Sequence, residues 1–241
     1  MRAMFGLVLG LAVATASVAP SVAQTGAGDQ AVVYVPPKRG APTGRVSGAT
    51  RGATSGSAST PADKAPRILA LAPEGVARTE HEQPTLYWFA ASAIADGAEL
   101  EITADRTLKT LLTMKLPGPI AAGINAIPLA GTAARLATGT VYTWTLTAIV
   151  SRSDPMKNEV VSSQIERVSS VHLLHRPPPP SDALATASFY ARGGVWYDAI
   201  DALSRGLQLA PGNAQLRRAR ASLLNQGGLA TVAAIDSAAV R

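Results

Sequence analysis

Few side chains in this sequence are of the kinds that do chemistry, and their spacing limits what they can do. The three histidines are His81, His172 and His175. His172 and His175 stand three apart, and Glu80 and Glu82 flank His81, so metal binding is the first possibility to weigh. A metal site needs convergent ligands and further hydrogen bonds that orient them. Leu173-Leu174 and the following prolines suggest extended chain, where side chains three apart point to opposite faces. No metal site is therefore expected. Glu99 and Glu101 form a carboxylate pair, the equipment of glycoside hydrolysis. Hydrolases set such groups across a cleft, whereas these two share one face of one strand, so a solvated face is expected. Asp198 and Asp201 are three apart on a helix and read the same way.

Several chemistries are missing. The chain has no cysteine, which rules out thiolate catalysis, cysteine-ligated zinc, iron–sulfur clusters and disulfides. It has no Gly-x-Ser-x-Gly elbow, no phosphate loop and no dinucleotide glycine fingerprint. Neither catalytic residues nor cofactors are expected.

The elements that would position any site follow in order along the chain. Arg2 precedes an uncharged stretch from Met4 to Ala19, which leads to the small residues of Ser21-Val22-Ala23. That order is a secretory signal peptide over residues 1–23, cleaved after Ala23. The apolar run falls short of the about 20 residues a membrane span needs. The expectation is an exported protein with no span after cleavage. It would be periplasmic if the cell is Gram-negative, and otherwise secreted or on the cell surface.

The formal charge is +6, and most of it is local. Between Pro36 and Arg67 stand Lys38, Arg39, Arg45, Arg51, Lys64 and Arg67 against the single acid Asp63. Residues 24–66 lack the apolar bulk that would offset the entropy of ordering and read as a disordered basic linker. Lys38, Arg39, Arg45 and Arg51 are its candidate electrostatic contacts with an anionic surface. No aromatic residue lies among these cations to stack on a base, so no nucleic-acid partner is expected.

From Ile68 to Val168 the pattern has period two. Tyr142, Trp144, Leu146 and Ala148 alternate with Val141, Thr143, Thr145 and Thr147, and this register places Tyr142 and Trp144 in the core. Seven segments of this kind, near 67–72, 84–91, 98–104, 110–116, 123–129, 140–150 and 159–168, are separated by glycine and proline turns. They predict a β-sandwich over 67–176, immunoglobulin- or fibronectin III-like. Leu136–Trp144 resembles the approach to the sixth strand of fibronectin type III domains, in which Tyr142 would bond back to the preceding corner. Trp88 is a candidate core aromatic.

Pro177–Pro180 reads as a stiff linker. Beyond it, over 181–241, the period is helical: Trp196, Ile200, Leu203 and Leu207 share a face. Ala187, Tyr190, Ala199, Leu203 and Pro211 fit the register of a tetratricopeptide-like hairpin. Gly193-Gly194 would form its turn, Asn213 would cap the next helix, and Gly227 would stop it. No full second repeat is visible.

Five stretches in this order carry a family resemblance: Tyr34–Pro42, Ala72–Glu74, Gln83–Trp88, Ala122–Ile127 and Trp196–Ile200. Together they make the chain similar to an exported family, domain of unknown function 928. The resemblance implies no activity, substrate or catalytic residue, but it does imply that the Pro-Pro-Lys-Arg-Gly stretch belongs to the protein's pattern. Two function classes follow. The first is a non-catalytic periplasmic or cell-envelope interaction module binding envelope proteins. The alternative is a hydrolase of envelope polymer using acids from Glu80, Glu82, Glu99 and Glu101.

Overall fold

The computed structural model describes residues 31–37, 46–48, 68–170 and 178–238. The signal peptide read over 1–23, the cations Lys38, Arg39, Arg45 and Arg51, and His172 and His175 lie outside them.

The period-two runs become strands: β1 (Val46–Gly48), β2 (Ile68–Ala70), β3 (Val76–Thr79), β4 (Thr85–Ala90), β5 (Ala98–Ala104), β6 (Lys109–Leu116), β7 (Gly123–Pro128), β8 (Val141–Ala148) and β9 (Glu159–Arg167). They form two sheets. The larger has the order β1-β9-β8-β5-β6, with β3 also paired to β9, and the smaller is β2-β4-β7. All seven expected segments are present. β8 is central, antiparallel to both β5 and β9, with Trp144 opposite Ile102 and Ser163. Tyr142, Trp144, Leu146 and Ala148 are all buried, as their parity requires. Tyr142 turns back as expected: its hydroxyl oxygen accepts the Ala137 N–H at 3.1 Å.

The reading omitted β1 and β3. Both are short and pair on the same side of β9, antiparallel at Val160–Ser162 and parallel at Gln164–Arg167. A four-residue strand whose partner lies about ninety positions away has no local turn to announce it.

Four helices follow: α1 (Ala183–Arg192), α2 (Trp196–Leu209), α3 (Ala214–Gln226) and α4 (Ala230–Ala238). Asp182 caps α1 by accepting the Ala185 N–H, and Asn213 caps α3 by accepting those of Gln215 and Leu216. Gly194 makes the α1–α2 turn at φ +72°, and α3 ends at Gly227. The helical part is therefore larger than the single hairpin and capped helix expected, because α4 continues beyond Gly227 and pairs with α3. Its sequence is rich in alanine and lacks the wide apolar stripe that marks α2.

These helices pack on the sandwich. The strand reading gave β4 one buried face, yet Tyr87 and Phe89 are as buried as Leu86, Trp88 and Ala90. Helices cover that second face, and the Tyr87 hydroxyl donates to Asp201 of α2 at 2.9 Å. Two tryptophans complete the joint. The Trp144 indole N–H donates to the Tyr197 hydroxyl, and that of Trp196 to the Leu71 carbonyl, each at 2.8 Å and buried. One apolar core runs through both parts, and the proline stretch does not hold them apart.

Candidate functional site

A densely bonded polar cluster sits where α2 meets the corner after β3. Asp198, in the first turn of α2, was read as a solvated acid. Instead its side chain is only 2% exposed. It accepts the Thr79 hydroxyl at 2.6 Å and the Glu80 N–H at 2.8 Å. Its Oδ2 is also 3.1 Å from Nδ1 of His81, whose ring is 58% exposed. A carboxylate at a helix N-terminus gains from the local dipole as well as from these donors. Asp201, one turn on, holds Tyr87 and faces Arg205 at 3.8 Å. The Tyr190 ring meets His81 edge-on at 6.5 Å.

This cluster borders an open groove of about 720 Å³, whose lining includes His81, Tyr190, Asp198, Asp201, Arg205 and Leu209. Leu209 is 90% exposed. The hydrogen bond to Asp198 raises the His81 pKa above its usual value; burial opposes this, and the charges of Asp198, Asp201 and Glu80 reinforce it. Burial raises Glu80, with Asp198 adding to the shift and His81 opposing it. Burial pushes Tyr190 up to about 12, helped by Asp198, Glu80 and Asp201. The contact with Asp198 therefore holds the His81 imidazole at the edge of the groove.

It also links stability to pH. A histidine whose folded pKa is raised contributes stability that is fully present below its unfolded value and lost as pH rises through the folded one. The raised Glu80 acts in the same sense, because its ionisation in the folded state is disfavoured. The thermal advantage of the native protein over a His81→Gln variant is expected to be fully present below the ordinary histidine value and to shrink as pH rises from that value through the raised one. An NMR titration should show the His81 midpoint falling in Asp198→Asn. A pH-independent advantage would refute the linkage.

Three of the acids proposed for hydrolysis are engaged at separate places. Glu82 lies 3.0 Å from Arg135 and 3.5 Å from Arg167. Glu99 faces Lys115 at 3.7 Å, and Glu101 accepts from Thr103 and Thr110. None of the four acids lines this groove or a smaller one of about 430 Å³ between the β4–β7 face and the helices. In that second groove the guanidinium of Arg220 pairs with both oxygens of Asp236, at 2.9 and 2.6 Å, and reaches Ser204 at 3.3 Å. This pair ties α2, α3 and α4 together. Among the described residues no three His, Asp or Glu side chains are grouped to hold a metal, and no helix is long and apolar enough to cross a membrane.

A second feature lies within the stretch read as disordered linker. Residues 31–37 run extended across the helices. Val32 is 0% and Tyr34 8% exposed, while Val33 and Val35 face outward. Gln226 of α3 clamps the backbone on both sides. Its Oε1 accepts the Tyr34 N–H at 2.8 Å, and its Nε2 donates to the Val32 carbonyl at 2.7 Å. The Val35 N–H donates to the Ala191 carbonyl at 3.0 Å. The Tyr34 ring stands edge-on to Trp196 at 4.9 Å, and burial raises its pKa to about 12. Gly194 lets this strap approach closely, since a Cβ there would stand 2.8 Å from the Val35 oxygen. The signal in the sequence was the unbroken apolar run Ala31-Val32-Val33-Tyr34-Val35, rich in strand-forming valine and tyrosine, inside a stretch of poor apolar content.

A family model described as Domain of Unknown Function (DUF928) matches residues 46–236, which include both sheets and almost all of the four helices. A search of curated proteins finds no match.

Proposed function

This chain belongs to the DUF928 family, whose description assigns no activity, and from that premise we propose that it is a non-catalytic protein-interaction module of the cell envelope. The clamp of Gln226 on residues 32 and 34 carries this reading. It shows the helical layer gripping extended polypeptide through its backbone, with alternate side chains buried, a recurring mode of peptide recognition. The groove beside His81, with Leu209 exposed on its wall, offers a second concave surface for an extended segment of another envelope protein.

Finer points of the reading have their own support. The strand orders β2-β4-β7 and β9-β8-β5-β6, with the Ala137–Tyr142 bond, fit an immunoglobulin- or fibronectin-like sandwich. The antiparallel helix pairs fit a tetratricopeptide-like arrangement. There Gly206 is so close to Ala183 and Leu216 that a Cβ would stand 2.7 and 2.9 Å from them. The signal peptide read over 1–23 supports export, and Lys38, Arg39, Arg45 and Arg51 support an added electrostatic contact with an anionic surface.

The test is a pull-down from envelope extract with the full-length protein and a Leu209→Asp variant, beside an assay of purified cell-wall polymer. The expected result is a partner retained by the native chain and lost in the variant, with no polymer turnover. Release of polymer fragments, abolished by Glu99→Gln or Glu101→Gln, would replace this reading with a hydrolase.

A further inference from the structure

We propose that the seat of the strap is a recognition site for an extended Val-x-Tyr-x-Pro-Pro segment, and that it can take this segment from a second copy of the chain. The inference rests on the reading of the helices as a polypeptide-gripping layer and names the partner. Three observations carry it. First, the grip is self-contained: two buried side chains, the two bonds to Gln226 and the bond to Ala191. A second copy would supply the same set, because every copy carries the segment that fits the seat. Second, the strap joins β1 only through residues 38–45. Eight residues reach at most about 27 Å, which sets how far a second copy's seat can lie from β1. Third, the outward side chains Val33 and Val35 are apolar and 47% and 51% exposed, a surface that a neighbouring copy would cover. Exchange of an identical element forms no new kind of contact, which makes it a low-cost route to a dimer. In one molecule the tethered strap competes at roughly millimolar effective concentration, so the seat is accessible in trans only when its own strap is disabled or the protein is concentrated.

Two full-length variants test this. In one, Val32→Ser with Tyr34→Ala disables the strap; in the other, Gln226→Leu spoils the seat. The first probe is a fluorescent peptide of residues 29–39. It is expected to bind the strap-disabled protein at least tenfold more tightly than the native one, and a peptide carrying Tyr34→Ala should not bind. Mixed together, the two variants should sediment as a one-to-one dimer, while each alone stays monomeric. If the strap-disabled variant keeps a cooperative melt but ignores the peptide, the seat is not a recognition site. If it binds the peptide but no mixed dimer forms, the second-copy claim fails and the gripping reading stands. Should the double substitution unfold the protein, Val32→Ala alone serves the same comparison.

Discussion

Trp196→Ala is expected to destabilise the protein by about 3–5 kcal/mol, the range for truncating a buried aromatic. The ring is 0% exposed and has neighbours on several sides. Its N–H is bonded to the Leu71 carbonyl, Tyr34 meets it edge-on, and Gly227 lies so close that a Cβ there would collide with Cη2. Three parts of the chain therefore converge on one side chain, and none can close the space alone. For a protein of this size the thermal midpoint should fall by roughly 6–20 °C, at about 2–4 °C per kcal/mol. Trp196→Phe separates the causes. It keeps most of the bulk and removes the bond, so it should cost about 1–3 kcal/mol through the orphaned Leu71 carbonyl. An unchanged midpoint in the alanine variant, followed by calorimetry, would mean that the helices do not depend on this contact.

Asp198→Ala is the second large effect, expected at about 2–4 kcal/mol in urea unfolding. The substitution removes a charged acceptor from the Thr79 hydroxyl and the Glu80 N–H, and hydrogen bonds to charged groups are worth about 1.5–3 kcal/mol each. Some of that loss is recovered where water reaches the corner beside exposed His81. Asp198→Asn should be milder, because its amide oxygen can still accept from one of the two. If alanine and asparagine proved equally harmless, the carboxylate would be a solvated acid after all.

Much of the sandwich was legible in the sequence, and the reason lies in runs such as Tyr142 to Ala148. There one face is wholly apolar and the other is threonine or valine, so period two sets both the strand and its register. The reading weakened where burial came from an element far along the chain. Tyr87 and Phe89 alternate with Leu86, Trp88 and Ala90, so period two puts them on the opposite face, and nothing near β4 says that helices will lie over it. Asp198 looked solvated for the same reason, although it sits among Trp196, Tyr197, Ala199 and Ile200, and all five are buried. An acid flanked on both sides by apolar residues leaves a helix no polar face in its first turn, and that is the signal that could have found it. The strap was hidden by composition: averaged over residues 24–66, a five-residue apolar run of valines and a tyrosine disappears.

The clamp between Gln226 and residues 32 and 34 joins positions 192 and 194 apart in sequence. The strap is thus synthesised well ahead of the glutamine that clamps it. Until α3 has been made, Val32 and Tyr34 lack the clamp that holds them, and the emerging chain carries them as an uncovered apolar segment. Closing so long a loop is slow compared with forming the local helix pairs, so the strap should be the final piece to lock. A chain interrupted between Arg167 and Gln226 would keep both sheets' sequences yet lack the clamp, and its strap would stay uncovered.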